Sequence, residues 1–207
     1  KINHDLRNSL ASAQLVSDVL ARSEDPRVQK AAPRLERALE RAISLATDTL
    51  DYGKATPQAP RIERVSLHPI LEEAAGEALA IYPGVVWDNK VPSEQKLDAD
   101  PDHLHRIVSN LLRNAAEAMS AQTDGSARII VSASGHGLDV ADTGPGLPGP
   151  AQENLFKPFA GSTRRNGTGL GLVIARELAQ GMGGDLILAR TGPDGTVFRL
   201  TLPGLGA

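Results

Sequence analysis

The sequence predicts an α+β protein in which an N-terminal helical hairpin precedes an α/β sandwich with a mixed sheet. Two patterns predict this class. Residues 1–54 carry apolar positions spaced alternately three and four apart, whereas residues 61–207 alternate short β-rich runs with amphipathic helices. Residues 55–60 contain two prolines and form the predicted linker between these two domains.

Bulk composition favours a soluble protein and argues against nucleic-acid binding, disulfides and a cysteine-ligated zinc site. The chain has 207 residues, a hydrophobic content of 41% and a net charge of −3. Its arginines are scattered among acidic residues and form no basic surface, so we expect no nucleic-acid partner. The absence of cysteine excludes disulfides and cysteine-ligated zinc and favours a reducing compartment.

The sequence contains no pattern typical of a membrane-spanning segment. No apolar run reaches the ~20 residues that span a bilayer, and no signal peptide is recognisable. We therefore expect a cytoplasmic fragment without a membrane segment. Because the chain begins in the middle of a predicted helix without a cap, we expect further sequence upstream, where a sensor domain or membrane anchor would lie.

The first helix is predicted over residues 2–22. Its apolar stripe comprises Ile2, Leu6, Ser9, Ala13, Val16 and Leu20. His4 lies on the opposite, solvent-facing side with Asp5 beside it, so this pair has no packing role. Taken alone, such a pair is an ordinary solvated polar face.

The second helix is predicted to begin at Asp25, as N-cap, with Pro26 in the first helical position, and to end at Gly53. Pro33 lies inside the pattern, so we expect either a kink over residues 29–32 or a helix that starts at Pro33. Two helices this short cannot bury their stripes alone, which favours dimerisation into a four-helix bundle. The alternative is a hairpin packed on its own C-terminal domain. The second stripe comprises Val28, Ala32, Leu35, Leu39, Ala42, Ala46, and Leu50 or Thr49.

The second domain is predicted to contain strands and three helices. One helix covers residues 67–79, Pro101 opens the next, and the third runs from about Gly169 to Met182. Strands are predicted over residues 61–65, 85–88, 95–99, 127–134, 138–142, 185–190 and 196–202, with an antiparallel hairpin between the fourth and fifth.

Three groups of residues in this domain carry polar chemistry. Asn110 and Asn114 lie one turn apart on one helix face, where two amide oxygens suit a magnesium ion. Asp142 ends a strand and begins a glycine turn. Residues 167–171 lead into a helix whose N-terminal amides and dipole suit an anion, with neither Walker nor Rossmann spacing. Taken alone, the asparagines are compatible with a solvent-facing surface and the Asp142 segment with an ordinary tight turn.

In their order and spacing, these segments resemble the motifs of two-component sensor histidine kinases, over nearly the whole chain. The resemblance implies a dimerisation and phosphotransfer domain followed by a Bergerat-type ATP-binding domain, with ATP and Mg²⁺ as cofactors. The segments that carry it are His4-Asp5-Leu6-Arg7-Asn8, Asn110-Leu111-Leu112-Arg113-Asn114, Asp142-Thr143-Gly144-Pro145-Gly146, Leu155-Phe156-Lys157-Pro158-Phe159 and Gly167-Thr168-Gly169-Leu170-Gly171-Leu172.

The resemblance implies roles for residues of the second domain. Asp142 would accept a hydrogen bond from the adenine amine. Asn114 would contact Mg²⁺, with Asn110 in support. Gly144 and Gly146 would let the backbone turn beside the base. The β- and γ-phosphates would lie on Gly167, Thr168, Gly169, Leu170 and Gly171.

Residues 147–166 would fold over the nucleotide. Phe156 and Phe159 are expected to anchor this loop in apolar surface, and loops of this kind are mobile without ligand. Arg164 stands where related loops often have lysine, so it is expected to reach the polyphosphate. The alternative for Arg164 is a solvated loop tip.

Two positions depart from the family's commonest pattern. Glu117-Ala118 stands where many members carry a lysine and a tyrosine, so phosphate charge is expected to be neutralised by Arg113 or Arg164. Ser9 stands where proline is frequent, which affects the bend of the first helix more than the chemistry.

The resemblance makes His4 the phosphoacceptor. A neutral imidazole, with an ordinary pKa of about 6.5, is a competent nucleophile at neutral pH. Asp5 would hold the proton of the other ring nitrogen, and Asn8 would position a water that removes phosphate from a partner. The implied function is a homodimeric kinase core that autophosphorylates His4 from Mg-ATP and passes the phosphoryl group to an aspartate in the receiver domain of a response regulator.

Two other functions fit parts of the pattern. An ATP-independent histidine phosphotransfer adaptor would share the architecture, but every nucleotide motif is present. A non-kinase ATPase of the Bergerat type, such as a chaperone or topoisomerase, would lack the histidine motif on a dimerisation hairpin. The remaining histidines show no metal-binding spacing and are interpreted as ordinary surface or core residues: His68, His103, His105 and His136.

Overall fold

The computed structural model describes residues 16, 25, 27–29, 31–32, 35, 59–122, 125–134, 137–158 and 169–204. The chain divides into two compact units, one formed by Lys1–Thr56 with Ser162–Leu170 and the other by Pro57–Gly161 with Gly171–Ala207. Most of the described residues belong to the second unit. The domain boundaries inferred from the sequence stay predictions.

The start of the second predicted helix has the cap that the sequence indicates. Asp25 Oδ1 accepts a hydrogen bond from the N–H of Arg27 at 2.8 Å. The N–H of Gln29 donates to the Asp25 carbonyl at 2.9 Å, which is the first helical bond. Val16 and Leu35, both on predicted apolar stripes, are helical and are 60% and 41% exposed. The helix bend at Pro33 and the cap at Gly53 lie outside the described residues.

The second unit alternates strands and helices, as predicted. In chain order these are β1 (Glu63–Ser66), α1 (Leu67–Ala78), β2 (Val86–Asn89), β3 (Lys96–Ala99), α2 (Pro101–Met119), β4 (Arg128–Ser134), β5 (Gly137–Asp142), α3 (Gly149–Glu153), α4 (Gly171–Gly181), β6 (Asp185–Gly192) and β7 (Gly195–Thr201).

Five of the strands form a mixed sheet in the order β2-β4-β5-β7-β6. β2 runs parallel to β4, and the other neighbours are antiparallel. β4 and β5 form the predicted hairpin, with Ser134 opposite Gly137. β1 and β3 pair with each other as a separate two-stranded sheet. The mixed sheet inferred from the sequence is therefore confirmed.

The core lies between the helices and one face of this sheet. Alternate residues on neighbouring strands are buried and stand directly opposite one another, as the two-residue period of a strand requires. The opposite face is more polar, and there the Arg199 guanidinium donates to both oxygens of Asp139 at 2.6 and 2.7 Å. The buried strand residues are Ile129, Val131, Leu138, Val140, Leu186, Phe198 and Leu200.

Helix α2 packs against both α1 and α4 and has more buried residues than the other helices of the described part of the chain. Its N-terminus is fixed by Asp100, whose Oδ1 accepts from the N–H groups of Asp102 and His103 while Oδ2 accepts from Arg61. Burial alone would raise the pKa of Asp100, but these backbone hydrogen bonds outweigh it and lower the pKa. Pro101 takes the first helical position, as predicted.

Three local features differ from the sequence prediction. Helix α3 was not predicted, because five residues containing Pro150 show no helical period. Helix α4 begins at Gly171 and not at Gly169, because Gly169 has φ of +70°, outside the right-handed helical region. Strand β6 continues to Gly192 past a register shift between Leu188 and Arg190.

Candidate functional site

The first part of the site lies where helix α2 meets the start of helix α4. Asn110 is only 5% exposed, and its Oδ1 lies 3.4 Å from the position that a Cβ on Gly171 would take. The Nδ2 of Asn114 lies 4.0 Å from the same point. The structure therefore brings the two predicted amides and the first residue of α4 together.

Arg113 belongs to the same cluster. Its Nη2 donates a hydrogen bond to Asn110 Oδ1 at 2.8 Å. Arg113 itself is exposed, so the bond joins a buried amide to a cation at the protein surface. An amide oxygen that already accepts from a guanidinium has a fixed orientation, which holds the Asn110 side chain toward α4.

The N-terminus of α4 supplies the electrostatics of this part of the site. Its first backbone N–H groups have no partner within the helix, and the helix dipole places partial positive charge at the same end. Gly169 has φ of +70° and Leu170 is fully buried. The other predicted phosphate-contacting residues, Arg164, Gly167 and Thr168, lie outside the described residues.

The second part of the site is the carboxylate at the end of β5. Asp142 is half-buried, and its Oδ1 accepts hydrogen bonds from the N–H of Gly144 at 2.8 Å and of Thr196 at 3.2 Å. Two backbone donors on one oxygen fix the plane of the carboxylate. Asp142 ends β5 and begins the glycine turn, as the sequence indicates, and its role toward a nucleotide stays a prediction.

Gly144 and Gly146 are both required by close contacts. A Cβ on Gly144 would lie 2.8 Å from Asp142 Oδ1 and 3.3 Å from Met119 Cγ. Gly146 has φ of +79°, and a Cβ there would lie 2.3 Å from the carbonyl oxygen of Gly192. The turn after Asp142 is therefore packed against α2 on one side and against β6 on the other.

Threonine hydroxyls hold this turn in place. Thr143 Oγ1 donates to the Ser126 carbonyl at 2.8 Å and accepts from the N–H of Arg128 at 3.0 Å. Thr191 Oγ1 accepts from the N–H of Leu147 at 2.8 Å and lies 3.2 Å from Thr196 Oγ1. Sequence reasoning missed these residues, because an isolated threonine in a strand carries no sign of the loop that it will contact.

A third cluster supports α4 and the segment that follows α3. Phe156 packs partly against the core, as predicted, and the Arg176 guanidinium lies 4.6 Å from its ring centroid. Arg176 also donates to both oxygens of Asp185, at 2.8 and 3.1 Å. The hydrogen bond from Arg176 lowers the pKa of Asp185, and that bond likewise raises the pKa of Arg176. Phe159 lies outside the described residues.

Ligands for a metal are few in the described part of the chain. Those residues contain no group of three or more His, Cys, Asp or Glu that would hold an ion by themselves. The Asn114 side chain lies near the start of α4, and its role as a Mg²⁺ ligand stays a prediction. One amide oxygen is compatible with such a site, because Mg²⁺ commonly takes one or two protein oxygens and completes its shell with water and phosphate.

The family model described as histidine kinase-, DNA gyrase B- and HSP90-like ATPase matches residues 99–205, more than half of the chain. The chain belongs to this ATPase family. The match begins one residue before the Asp100 cap of α2 and extends beyond β7, so it includes the described parts of the site in this ATPase domain.

Curated relatives of the chain are bacterial signalling proteins. Nitrogen regulation protein NtrY of Azorhizobium caulinodans is 29% identical over 100% of this chain and 28% of its own length. Sensory histidine kinase/phosphatase NtrB of Rhodobacter capsulatus is 28% identical over 97% of this chain and 59% of its own length. Sensor histidine kinase GtrS of Pseudomonas aeruginosa is 32% identical over 99% of this chain and 41% of its own length. The chain thus spans less than two thirds of the length of each of these relatives.

Solved structures share the fold of this ATPase domain. Full-length ShkA in complex with AMPPNP superposes with a TM-score of 0.66 at 23% identity, over 95% of this chain and 43% of ShkA. The Acinetobacter baumannii histidine kinase AdeS gives a TM-score of 0.56 at 18% identity, over 94% of each chain. In the described residues of our chain, no helix is both long and apolar enough to cross a membrane.

The Arg176–Asp185 pair predicts a pH dependence of stability. Because the folded-state pKa of Asp185 is lowered, the pair stabilises the protein fully above the ordinary aspartate pKa of about 3.9 and loses this contribution as the pH falls through the lowered value. We expect Asp185→Asn to cost about 1 kcal/mol at pH 7, since solvent screens part of this half-exposed pair. The difference should shrink below about pH 4.

The measurement is urea unfolding of the wild-type protein and of Asp185→Asn between pH 7 and pH 2. Asp98→Asn serves as the control, because Asp98 makes a single 3.3 Å contact with Arg64 at an exposed site. If the difference in the free energy of unfolding between the wild type and Asp185→Asn stays constant or grows as the pH falls to 2, the stabilising role of the ionised Asp185 is contradicted.

Proposed function

We propose that this chain is the core of a sensor histidine kinase that binds Mg-ATP, autophosphorylates His4 and transfers the phosphoryl group to an aspartate of a response regulator. The ATPase family membership supports the nucleotide, and the names of the curated relatives support the kinase. The structural observation that supports it best is the position of helix α2 relative to both parts of the site.

Helix α2 passes from one part of the site to the other. Asn110 lies beside Gly171, and Ala118 Cβ lies 3.5 Å from the Cβ position of Gly144. With a rise of about 1.5 Å per residue, these positions on α2 are about 12 Å apart, so a nucleotide lying along the helix would have its base at one position and its phosphates at the other. The adenine would lie at Asp142 and Gly144, and the phosphates would lie at the start of α4.

The groups at each end of α2 have the hydrogen-bonding and charge properties that the adjacent part of the nucleotide requires. A carboxylate whose plane is fixed by two backbone amides accepts a hydrogen bond from an exocyclic amine and discriminates against a base that lacks one. The α4 N-terminus, with its unpaired amides, stabilises phosphate oxygens. Asn114 would hold Mg²⁺, with Asn110 in support, and the ion would supply neutralisation of phosphate charge when bound.

The transfer step needs a nucleophile held in line with the γ-phosphorus. In this proposal a nitrogen of the neutral His4 ring forms the new N–P bond as the P–O bond to ADP breaks, and Asp5 holds the proton on the other ring nitrogen. Asn8 positions water when the phosphoryl group of the partner's aspartate is hydrolysed. Arg164 and the residues around it would close over the nucleotide.

Dimerisation belongs to the proposal as well. Val16 and Leu35 are large apolar residues on the predicted hairpin stripes, yet both are exposed in the single chain. Exposed apolar positions with helical spacing are typical of an interface between helices. A second copy of the hairpin would cover them in a four-helix bundle.

Nucleotide binding is tested by calorimetric titration with AMPPNP and ADP, with and without Mg²⁺. We expect the wild type to bind in a Mg²⁺-dependent manner and Asp142→Asn to lose about tenfold or more in affinity, since it removes a charged acceptor of the base. Asparagine retains an oxygen for the two backbone donors, so the fold should persist. Asp98→Asn, on β3, should bind like the wild type.

An absence of binding by well-folded wild-type protein would contradict the kinase proposal and favour the phosphotransfer adaptor. Binding that is unchanged in Asp142→Asn would leave ATP binding standing but overturn the role of Asp142.

The phosphoacceptor is tested with ATP labelled at the γ-phosphate. His4→Gln should bind AMPPNP like the wild type and acquire no label, because it retains polarity but lacks a nucleophilic ring nitrogen. The label on the wild type should be stable to alkali and labile to acid, as a phosphorylated nitrogen is. Persistent label on His4→Gln would overturn the assignment of His4.

A further inference from the structure

Three polar side chains form one row across the mixed sheet, beside the turn that follows β5. Asp142 on β5 stands directly opposite Thr196 on β7, and Thr196 stands directly opposite Thr191 on β6. Residues directly opposite one another on neighbouring strands point to the same face of a sheet. The row therefore continues from the buried Ile129, which stands opposite Asp142 on β4, and lies on the core face.

This row and the turn after β5 close a ring of hydrogen bonds. Asp142 Oδ1 accepts from the N–H of Gly144, where the turn begins, and from the N–H of Thr196. Thr196 Oγ1 lies 3.2 Å from Thr191 Oγ1, which accepts from the N–H of Leu147 at 2.8 Å. Leu147 lies three residues after Gly144. The turn is thus held at both ends by side-chain oxygens of the same row.

The hydroxyl of Thr191 joins the two halves of this ring. A hydroxyl has one O–H donor and two acceptor sites, so Thr191 can accept from Leu147 and bond to Thr196 at the same time. Thr196 is only 4% exposed, so water has little access to its hydroxyl. Removal of the Thr191 hydroxyl would take the acceptor from the Leu147 N–H and the partner from the buried Thr196 hydroxyl, and a buried polar group left unpaired is costly.

We propose that Thr191 is a positioning residue for recognition of the nucleotide base and acts through Leu147 and Thr196 without touching the nucleotide. The inference rests on the proposed function, in which Asp142 accepts from the adenine amine and Gly144 lies beside the base. Because Thr191 holds the far end of the turn and the hydroxyl of the residue that donates to Asp142, it fixes the geometry of both. Its loss should therefore weaken selection of the base.

The test is calorimetric titration of the wild type, Thr191→Val and Thr191→Ser with ADP and with inosine diphosphate, in the presence of Mg²⁺. Inosine diphosphate has a carbonyl oxygen where adenine has its amine, so the ratio of the two affinities measures recognition at Asp142. We expect Thr191→Val to weaken ADP binding about fivefold, as loss of one neutral hydrogen bond does, and inosine diphosphate binding less than about twofold. Thr191→Ser retains the hydroxyl and should bind both nucleotides like the wild type.

Thr201→Val is the matched control. It removes a threonine hydroxyl from the opposite end of the same β6–β7 hairpin, where Thr201 Oγ1 accepts from the N–H of Asp185 at 3.1 Å. A general loss of stability would affect both valine variants, whereas the ratio of the two affinities should fall only for Thr191→Val. Thr191→Ala is the second variant, because it removes the hydroxyl without placing a methyl group there, and it should lower the same ratio.

A double-mutant cycle tests whether Thr191 acts through Asp142. In the Asp142→Asn protein, base recognition is already lost, so adding Thr191→Val should weaken ADP binding by less than about twofold. A further loss as large as that in the wild-type background would mean that Thr191 acts independently of Asp142, which overturns the inference.

The remaining outcomes separate this inference from the proposed function. Wild-type affinities in Thr191→Val and Thr191→Ala overturn this inference alone, and so do equal losses for ADP and inosine diphosphate. A fall of the affinity ratio in Thr201→Val also overturns it, because the effect would then come from the hairpin as a whole. Failure of the wild type to bind any nucleotide overturns the proposed function and this inference together.

Discussion

The second unit depends on the close packing of helix α2 between two glycine-containing segments. Gly171 lies against Asn110 near the middle of α2, and Gly144 lies against Ala118 and Met119 at its end. A side chain at Gly144 would press on Asp142 and on Met119 of α2, and a Cβ at Gly171 would be in van der Waals contact with Asn110, so both segments are positioned by one rigid helix. Because α2 is anchored by the Asp100 cap and a fully buried apolar face, their positions are held by the core.

Much of this arrangement could be predicted from the sequence because its signals are local. In the sequence, Asp25 and Asp100 are each followed directly by proline, and the β4–β5 hairpin has a glycine turn between alternating apolar residues. The asparagine pair was placed correctly on one helix face by helical period alone. Long-range contacts were out of reach. The bond from Thr196 to Asp142 joins residues 54 apart, and nothing near Thr196 in the chain indicates it.

The difference between local signals and long-range contacts also explains what the family resemblance contributed and what it could not predict. Ordered motifs predicted roles for Asp142 and the glycines of the turn, but a motif gives no side-chain partner. Only the fold shows that Arg113 bonds to the buried Asn110 beside Gly171, or that Arg176 joins Phe156 to Asp185. Charged side chains on a surface helix have no fixed direction in sequence, so the sequence alone could not show that Arg113 contacts Asn110.

The central claim is that one nucleotide extends along α2 from Asp142 to the start of α4. Backbone amide chemical shifts, recorded by NMR with increasing Mg-AMPPNP, test it most directly. We expect the largest changes at Asn114, Gly144 and Gly171, with little change at Asp139 and Arg199 on the outer face of the sheet. Changes confined to one end of α2, or concentrated on the outer face while Gly144 and Gly171 stay unmoved, would contradict the account.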